Sequence, residues 1–411
     1  MRLPNRLPAV GRVLGYWRAE RRTIRHGLVS LVFSTGGEIA AGVALGAMTG
    51  TLEKLPGLLV LLPAANSVRG SIFGALSSRL GTSIHTGMFE RTRHREGALY
   101  QNVFSATVLT FSVSVVLGVM AKGVAVALGV PSIGMIDIIV ISVLGGVMSS
   151  VIVCALAVVL ALAAHSYEWD LDSVGVPAIT AIGDMVTIPA LYLATFAVGI
   201  RWVTPVVAVV LILVSTALAV VGVRSRLPLA RRAVRESLPL LAATGMLSLL
   251  AGVVVESRVE QFLAFPAFLV LIPALLSDTG ALAASLSSRL ASKLHLGALE
   301  PRGFPQGLAW LDSSIVLLFG LWVFPLVAVA AHFAARLVGL ASPGVWQMLE
   351  VGVVAGIVAT VLLVILAYYV AIGTYRLGLD PDNHGIPVVT SASDLTAMVA
   401  LSIALVVFGL A

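Results

Sequence analysis

Two aspartates, Asp184 and Asp394, lie within long apolar segments at an offset of 210 residues. A carboxylate at the centre of a membrane helix costs about 2.5 to 3.5 kcal/mol on insertion scales, so such residues usually mark functional sites. Two facing carboxylates repel each other unless a cation or a proton lies between them, and a divalent cation supplies that charge to hard oxygen ligands. We therefore predict that Asp184 and Asp394 line a cation site.

Further oxygen ligands accompany both aspartates. Thr180 and Thr390 each precede an aspartate by four residues, which places them one helical turn away on the same face. A second group would form an acidic rim that concentrates cations at the cytoplasmic mouth, although the same pattern also suits solvated helix caps. This group consists of Asp170, Asp172, Asp380, Asp382 and Asn383. Glu38 lies within the first apolar segment with Ser248 as its counterpart, so a pathway role for it would be asymmetric.

The composition indicates that these residues are positioned by membrane helices. Hydrophobic residues make up 59% of the 411 positions and charged residues only 11%, less than half the charged share of a soluble domain. Apolar runs long enough to cross a hydrocarbon core of about 30 Å recur along the whole chain. They predict eleven spans, near 26-50, 57-80, 102-128, 136-164, 175-200, 203-223, 238-258, 267-290, 311-335, 347-374 and 385-410.

The chain contains an internal repeat. The segment LLVLLPAANSVRGSIFGALSSRLGTSIHTG at 58-87 matches FLVLIPALLSDTGALAASLSSRLASKLHLG at 268-297, and DLDSVGVPAITAIGD at 170-184 matches DPDNHGIPVVTSASD at 380-394. Both pairs keep the offset of 210, which is typical of a duplication. We predict a lead at 1-25, a first five-helix repeat at 26-200, a linking helix and basic loop at 201-235, and a second repeat at 236-411.

The linking span decides how the repeats are oriented. Five spans are an odd number, so the extra span at 203-223 gives both repeats the same orientation, related by a pseudo-twofold axis along the membrane normal. The predicted fold is therefore an all-α transmembrane bundle in which one chain forms a pseudo-dimer around a central pathway. Whether the pseudo-dimer associates further is left open.

The positive charges predict the topology. Inside segments would hold twenty Lys or Arg residues and outside segments five, which indicates a cytoplasmic N-terminus and an outside C-terminus in a cell membrane. The arginines fall mostly between spans, so the net charge of +6 points to the lipid bilayer and not to nucleic acid. The N-terminal segment is expected to be a retained lead and not a signal peptide. The one cysteine, Cys154, permits no intramolecular disulfide.

At these motifs the sequence resembles the MgtE and solute carrier family 41 group of magnesium transporters. The group's second-helix motif, approximately P-A-L-L-G-L-K-G-N-L before S-R-L, is similar to PAANSVRGSI and PALLSDTGAL here. Its motif D-P-D-N-x-x-x-P-x-x-T-S-x-G-D is similar to DPDNHGIPVVTSASD. The two-unit layout resembles the solute carrier family 41 form, whereas MgtE builds the pore from two five-span subunits.

The resemblance implies a transported ion and its ligands. It implies Mg²⁺ as the ion, with pore-lining aspartates at Asp184 and Asp394 preceded by Thr180 and Thr390. Three positions depart from the motifs: Ser71 and Ala281 replace the asparagine, and Ser393 replaces a glycine. These departures bear on selectivity for Mg²⁺ over Mn²⁺ and Co²⁺.

Two other functions compete with cation transport. An intramembrane aspartyl protease could use Asp184 and Asp394 as a catalytic dyad, although AIGD and SASD lack the glycine-rich approach expected there. A structural or receptor-like membrane protein would not require symmetric buried acids. We therefore expect a transporter and not an enzyme, with channel and ion-coupled carrier both open.

Overall fold

A computed structural model describes residues 9–89, 94–167, 171–305, 307–378 and 385–410. Within these ranges the chain forms fourteen α-helices and no strand. In chain order the helices are α1 (Ala9–Ala19), α2 (Arg21–Gly46), α3 (Thr49–Lys54), α4 (Leu58–His85), α5 (Ala98–Ala127), α6 (Met135–Tyr167), α7 (Leu171–Thr195), α8 (Val203–Val223), α9 (Pro228–Glu256), α10 (Val259–Ala264), α11 (Ala267–His295), α12 (Leu308–Leu337), α13 (Val345–Arg376) and α14 (Ile386–Val407).

The helices confirm the predicted all-α transmembrane bundle. Ten helices of the described ranges are long and apolar enough to cross a membrane, namely α2, α4, α5, α6, α8, α9, α11, α12, α13 and α14. The eleventh predicted span coincides with α7, which is apolar from Ile179 to Thr195. Each predicted span therefore corresponds to one helix. The predicted lead contributes α1 and the first turn of α2, which begins at Arg21.

The duplication is visible element by element. Helices α2 to α7 recur as α9 to α14, including the short helix α3 (Thr49–Lys54), whose counterpart α10 (Val259–Ala264) begins and ends at the same offset of 210 residues. Helix α8 has no counterpart. It packs against α5, α6 and α9 at the edge of the bundle and is the least buried of the candidate spans.

The two repeats interlock through their first helices. Helix α2 packs against α11 of the second repeat, and α9 packs against α4 of the first. A Cβ atom added to Gly42 would overlap the carbonyl group of Val270, and one added to Gly252 would overlap that of Val60. Small residues allow membrane helices to approach this closely. The matched contacts are those of a pseudo-twofold relation between the repeats.

The second helix of each repeat lies at the centre of the bundle. Of the ten helices that could span a membrane, α4 and α11 are the most deeply enclosed by protein. The last helix of each repeat packs on its own second helix, α7 on α4 and α14 on α11. This packing brings the aspartates of α7 and α14 to the interface between the repeats.

Candidate ion pathway between the repeats

Asp184 lies within α7 and is enclosed by protein, with 6% of its surface exposed. Its Oδ2 atom accepts a hydrogen bond of 3.3 Å from Ser277 Oγ on α11 of the other repeat. The Asn66 side chain on α4 adjoins the same carboxylate, and Asn66 Oδ1 is buried without a hydrogen-bond partner among the described residues. A serine hydroxyl and an asparagine side chain from α11 and α4 therefore meet the Asp184 carboxylate.

Asp394 occupies the equivalent position in α14 and is 7% exposed. Its Oδ2 atom accepts a hydrogen bond of 2.6 Å from Ser248 Oγ on α9. Ser67 on α4 of the other repeat also approaches this carboxylate, and its Oγ lies 3.3 Å from Ser391 Oγ. Two hydroxyl groups, those of Ser248 and Ser67, thus approach the second aspartate.

Each aspartate is contacted by a serine of the opposite repeat. Ser67 and Ser277 are related by the repeat offset, and each lies against the aspartate of the opposite repeat. Asp394 also lies near enough to Asp184 for the two carboxylates to interact electrostatically. The structure therefore brings together the two acids that the sequence singles out. The two serines were missed, although their conservation at the offset of 210 is a signal that could have found them.

Thr180 and Thr390 lie one turn before the aspartates on α7 and α14. The Thr390 hydroxyl donates to the backbone carbonyls of Ile386 and Pro387 at 3.0 and 3.1 Å. Its oxygen retains lone pairs that can accept. A Cβ atom on Gly70 of α4 would lie 4.0 Å from the Thr180 methyl group, so α4 and α7 approach closely at this level.

The predicted acidic rim falls largely outside the described part of the chain. Asp170, Asp380, Asp382 and Asn383 lie outside the described residues, and so does the side chain of Asp172. Their predicted role stays a prediction. The described pathway therefore rests on Asp184, Asp394 and the oxygens around them.

The two halves of the centre differ in charge. Arg69 on α4 donates a hydrogen bond to Thr187 and interacts electrostatically with Asp184. Its counterpart in the other repeat is Thr279, so Asp394 has no equivalent arginine. Glu38 on α2 is 1% exposed and lies within electrostatic range of Asp184. Glu38 is the counterpart of Ser248, which contacts Asp394.

A metal ion here would need ligands beyond carboxylates. Within the described ranges no three His, Cys, Asp or Glu side chains are grouped so that they could hold a metal ion. Serine hydroxyls, the free amide oxygen of Asn66 and water would therefore complete the coordination of an ion at the two aspartates. Mixed oxygen shells of this kind suit hard divalent cations.

These features define a polytopic α-helical membrane protein with a polar, acidic centre between two interlocked repeats. Comparison with known families identifies the group. Residues 62–194 and 272–404 each match the MgtE family, described as a divalent cation transporter. The two matches cover one segment in each repeat and together most of the chain. The protein belongs to the MgtE family.

Curated relatives extend the match to nearly the whole chain. Solute carrier family 41 member 3 of Rattus norvegicus is 24% identical over 401 residues, which cover 91% of this chain and 85% of the relative. The Mus musculus protein of the same name is 24% identical over 368 residues, covering 84% of this chain and 74% of the relative. No solved structure shows a significant match.

Proposed function

We propose that this protein transports divalent cations, most favourably Mg²⁺, along the interface between its two repeats. The observation that carries the proposal is the pair of buried aspartates, Asp184 and Asp394, each joined to a serine of the opposite repeat. A buried carboxylate pair is costly unless its charge is compensated. A divalent cation compensates both charges at once.

The mechanism follows from how magnesium is held. Magnesium gives up its water shell reluctantly and binds through one or two carboxylates while keeping several waters. Asp184 and Asp394 would hold a partly hydrated ion, with Thr180, Thr390 and the neighbouring serines accepting hydrogen bonds from its waters or coordinating it. Conduction requires moderate affinity, because the ion must also leave. Mn²⁺ and Co²⁺ are the alternative ions.

The family supports transport over proteolysis. Membership in a family of divalent cation transporters, together with relatives that carry solute carrier names, favours a transporter over an enzyme.

The family matches at 62–194 and 272–404 lie inside the two proposed repeats, 26-200 and 236-411. The lead at 1-25 and the linking segment at 201-235 complete the proposed division of the chain.

The proposed setting is a cell membrane, with the N-terminus in the cytoplasm. The excess of Lys and Arg in alternate loops supports this orientation. In this orientation, the predicted rim of Asp170, Asp172, Asp380, Asp382 and Asn383 would face the cytoplasm.

Ion flux into proteoliposomes tests the proposal. Purified protein is reconstituted and the entry of Mg²⁺, Mn²⁺ and Co²⁺ is measured for the wild type and for Asp184→Asn and Asp394→Asn. We expect both variants to lose flux for every transported ion, because each removes one of the charges that hold it. The matched control is Asp137→Asn, which removes a half-buried carboxylate in the first turn of α6 and should leave flux unchanged.

Two results of this experiment would contradict the proposal. Wild-type liposomes that admit none of the three ions, under a membrane potential or a sodium gradient, would exclude divalent cation transport. Unchanged flux in both aspartate variants would exclude the two carboxylates as its pathway.

A further inference from the structure

A second group of acids lies beside Asp184, in one half of the bundle only. Glu38 on α2 is 1% exposed and Asp278 on α11 is 0% exposed. The two helices pack against each other, and the two carboxylates are close enough to interact electrostatically. Thr35 Oγ1, one turn before Glu38, donates to the Leu31 carbonyl at 2.8 Å and lies 3.4 Å from Asp278 Oδ2.

Each of these acids has a buried oxygen without a partner. Glu38 Oε2 and Asp278 Oδ1 are inaccessible to solvent and accept no hydrogen bond from the described residues. Native proteins rarely leave a buried polar atom unsatisfied, and the cost is highest for charged groups. Two such atoms on neighbouring carboxylates indicate that a ligand with positive charge belongs between them.

No side chain in the described part of the chain supplies that charge. None of the ion pairs found among the described residues includes Glu38 or Asp278. The nearby arginine, Arg69, is bonded to Thr187 and interacts with Asp184. Arg69 can offset the charge of Asp184, which leaves the two charges of Glu38 and Asp278 uncompensated.

The internal repeat shows that the fold does not need this group. The counterparts of Thr35, Glu38 and Asp278 are Gly245, Ser248 and Val68. The second half packs at the same offset with neither carboxylate, and Ser248 supplies a hydroxyl at the position of Glu38. The acids therefore add something to one half that the shared architecture does not require.

We propose that Glu38, Asp278 and Thr35 bind a second divalent cation next to the centre at Asp184 and Asp394. Two carboxylates balance the charge of one divalent ion, and hard oxygen ligands suit it. The hydroxyls of Ser34 and Ser277 adjoin Glu38 and extend the ligand set. The inference rests on the proposed function for the class of ion, but the site is separate from Asp184 and Asp394.

A second ion would also serve transport. Channels and transporters release tightly held ions more readily when neighbouring sites are occupied together, because the ions repel each other. Ser277 adjoins both carboxylates, Glu38 in the second site and Asp184 in the first. Occupation of the second site would thus weaken binding at the first and speed release.

Counting bound ions tests this proposal directly. Protein in lipid nanodiscs is titrated with Mn²⁺, and bound ion is measured by the loss of the free Mn²⁺ electron paramagnetic resonance signal. We expect two ions per wild-type chain and one per Glu38→Gln/Asp278→Asn chain. The Asp184→Asn/Asp394→Asn variant should also bind one ion, and the variant with all four changes none.

The outcomes separate this inference from the proposed function. Two ions still bound by Glu38→Gln/Asp278→Asn, or a single wild-type ion that this variant retains, would overturn the second site. Two ions retained by Asp184→Asn/Asp394→Asn would instead contradict the proposed centre and leave the second site standing.

A milder variant guards against misfolding. Glu38→Asp keeps the charge and shortens the side chain. It should therefore lower the affinity for one of the two ions and leave the affinity for the other at the wild-type value. Val253→Ala, on the first helix of the other repeat, is the packing control and should bind both ions. If Glu38→Asp bound both ions with wild-type affinity, the result would count against the proposal.

Discussion

Ser277 on α11 donates a hydrogen bond of 3.3 Å to Asp184 on α7, so a hydroxyl of the second repeat holds the central carboxylate of the first. Ser67 lies against Asp394 in the reverse sense. Neither half of the centre is complete without the other. A cation held by the two aspartates would therefore be coupled to the interface that joins the repeats.

We predict that Ser277→Ala and Ser67→Ala weaken ion binding in similar measure. Each change removes a hydrogen bond that orients a carboxylate, and such bonds to charged groups contribute about 1.5 to 3 kcal/mol. The ion concentration that gives half-maximal flux should rise by roughly tenfold. Proteoliposome flux as a function of Mg²⁺ concentration measures this shift.

The control for this pair is Ser71→Ala. The Ser71 hydroxyl donates at 3.0 Å to the carbonyl of Ser67 in its own helix, so its loss should leave half-maximal flux at the wild-type concentration. Equal shifts in Ser71→Ala and Ser67→Ala would show that the aspartate contact has no special role.

The sequence predicts much of this architecture because duplication leaves a readable signal. The eleven spans, the repeat and the pairing of Asp184 with Asp394 all follow from hydropathy and a constant offset. Glu38 was noted as a break in the repeat, but two other acids that break it were missed. Asp278 and Asp312 are counterparts of Val68 and Asn102, and no comparison of the halves selects them.

Packing across the repeats also lies beyond the sequence pattern. Hydropathy shows that α2 spans the membrane, but it does not show that α2 packs against α11 in place of α4. Ser67 and Ser277 were overlooked for a similar reason. Serine is common in membrane helices, and only the packed structure shows which hydroxyls face an aspartate.

We predict that Gly42→Ala and Gly252→Ala each destabilise the protein. An added methyl group would overlap the carbonyl of Val270 or Val60 across the repeat interface, and backbone cannot move aside as a side chain can. Overpacking of this kind costs about 1 to 3 kcal/mol. Thermal unfolding in detergent should show a lower midpoint for both variants.

Gly36→Ala is the matched control for Gly42→Ala. Gly36 lies in the same helix, and an added Cβ atom there meets nothing within 4 Å. Alanine is the better helix former by about 1 kcal/mol, so this variant should be as stable as the wild type or more so. A lower midpoint for Gly36→Ala would point to the helix itself and not to the interface.

We predict that Tyr16→Phe loosens helix α1. The Tyr16 hydroxyl donates a hydrogen bond of 2.7 Å to Asp312 Oδ1. The Asp312 carboxylate is fully buried and also forms ion pairs with Arg289 and Lys293. Loss of the hydroxyl removes one of the contacts that dock α1 on the second repeat. Trypsin should cleave at Arg12 and Arg18 faster than in the wild type, whereas Tyr167→Phe, at a phenol that is 70% exposed, should change nothing.

The same contact has a defined dependence on pH. Burial, followed by the hydrogen bond to Asp312, raises the pKa of Tyr16 above its ordinary value of 10.0. The docked state therefore favours the protonated phenol. Its contribution to docking is full below about pH 10 and is lost as the pH rises through the raised pKa. Resistance to trypsin that stayed constant beyond that pH in the wild type, or fell equally in Tyr16→Phe, would contradict this assignment.

We predict that Glu256→Ala destabilises the start of α4. Glu256 ends α9, and its two carboxylate oxygens accept hydrogen bonds from the backbone amides of Gly57 and Leu59 at 2.7 and 3.1 Å. The first amides of a helix have no partner within the helix, so removing both acceptors leaves buried donors unsatisfied at a cost of about 1 to 3 kcal/mol.

Glu256→Gln keeps one acceptor, so its midpoint of thermal unfolding should fall between those of Glu256→Ala and the wild type. Glu260→Ala, at an exposed carboxylate in α10, should not lower the midpoint. Equal midpoints for Glu256→Ala and Glu260→Ala would mean that water or other acceptors replace the Glu256 carboxylate at the Gly57 and Leu59 amides.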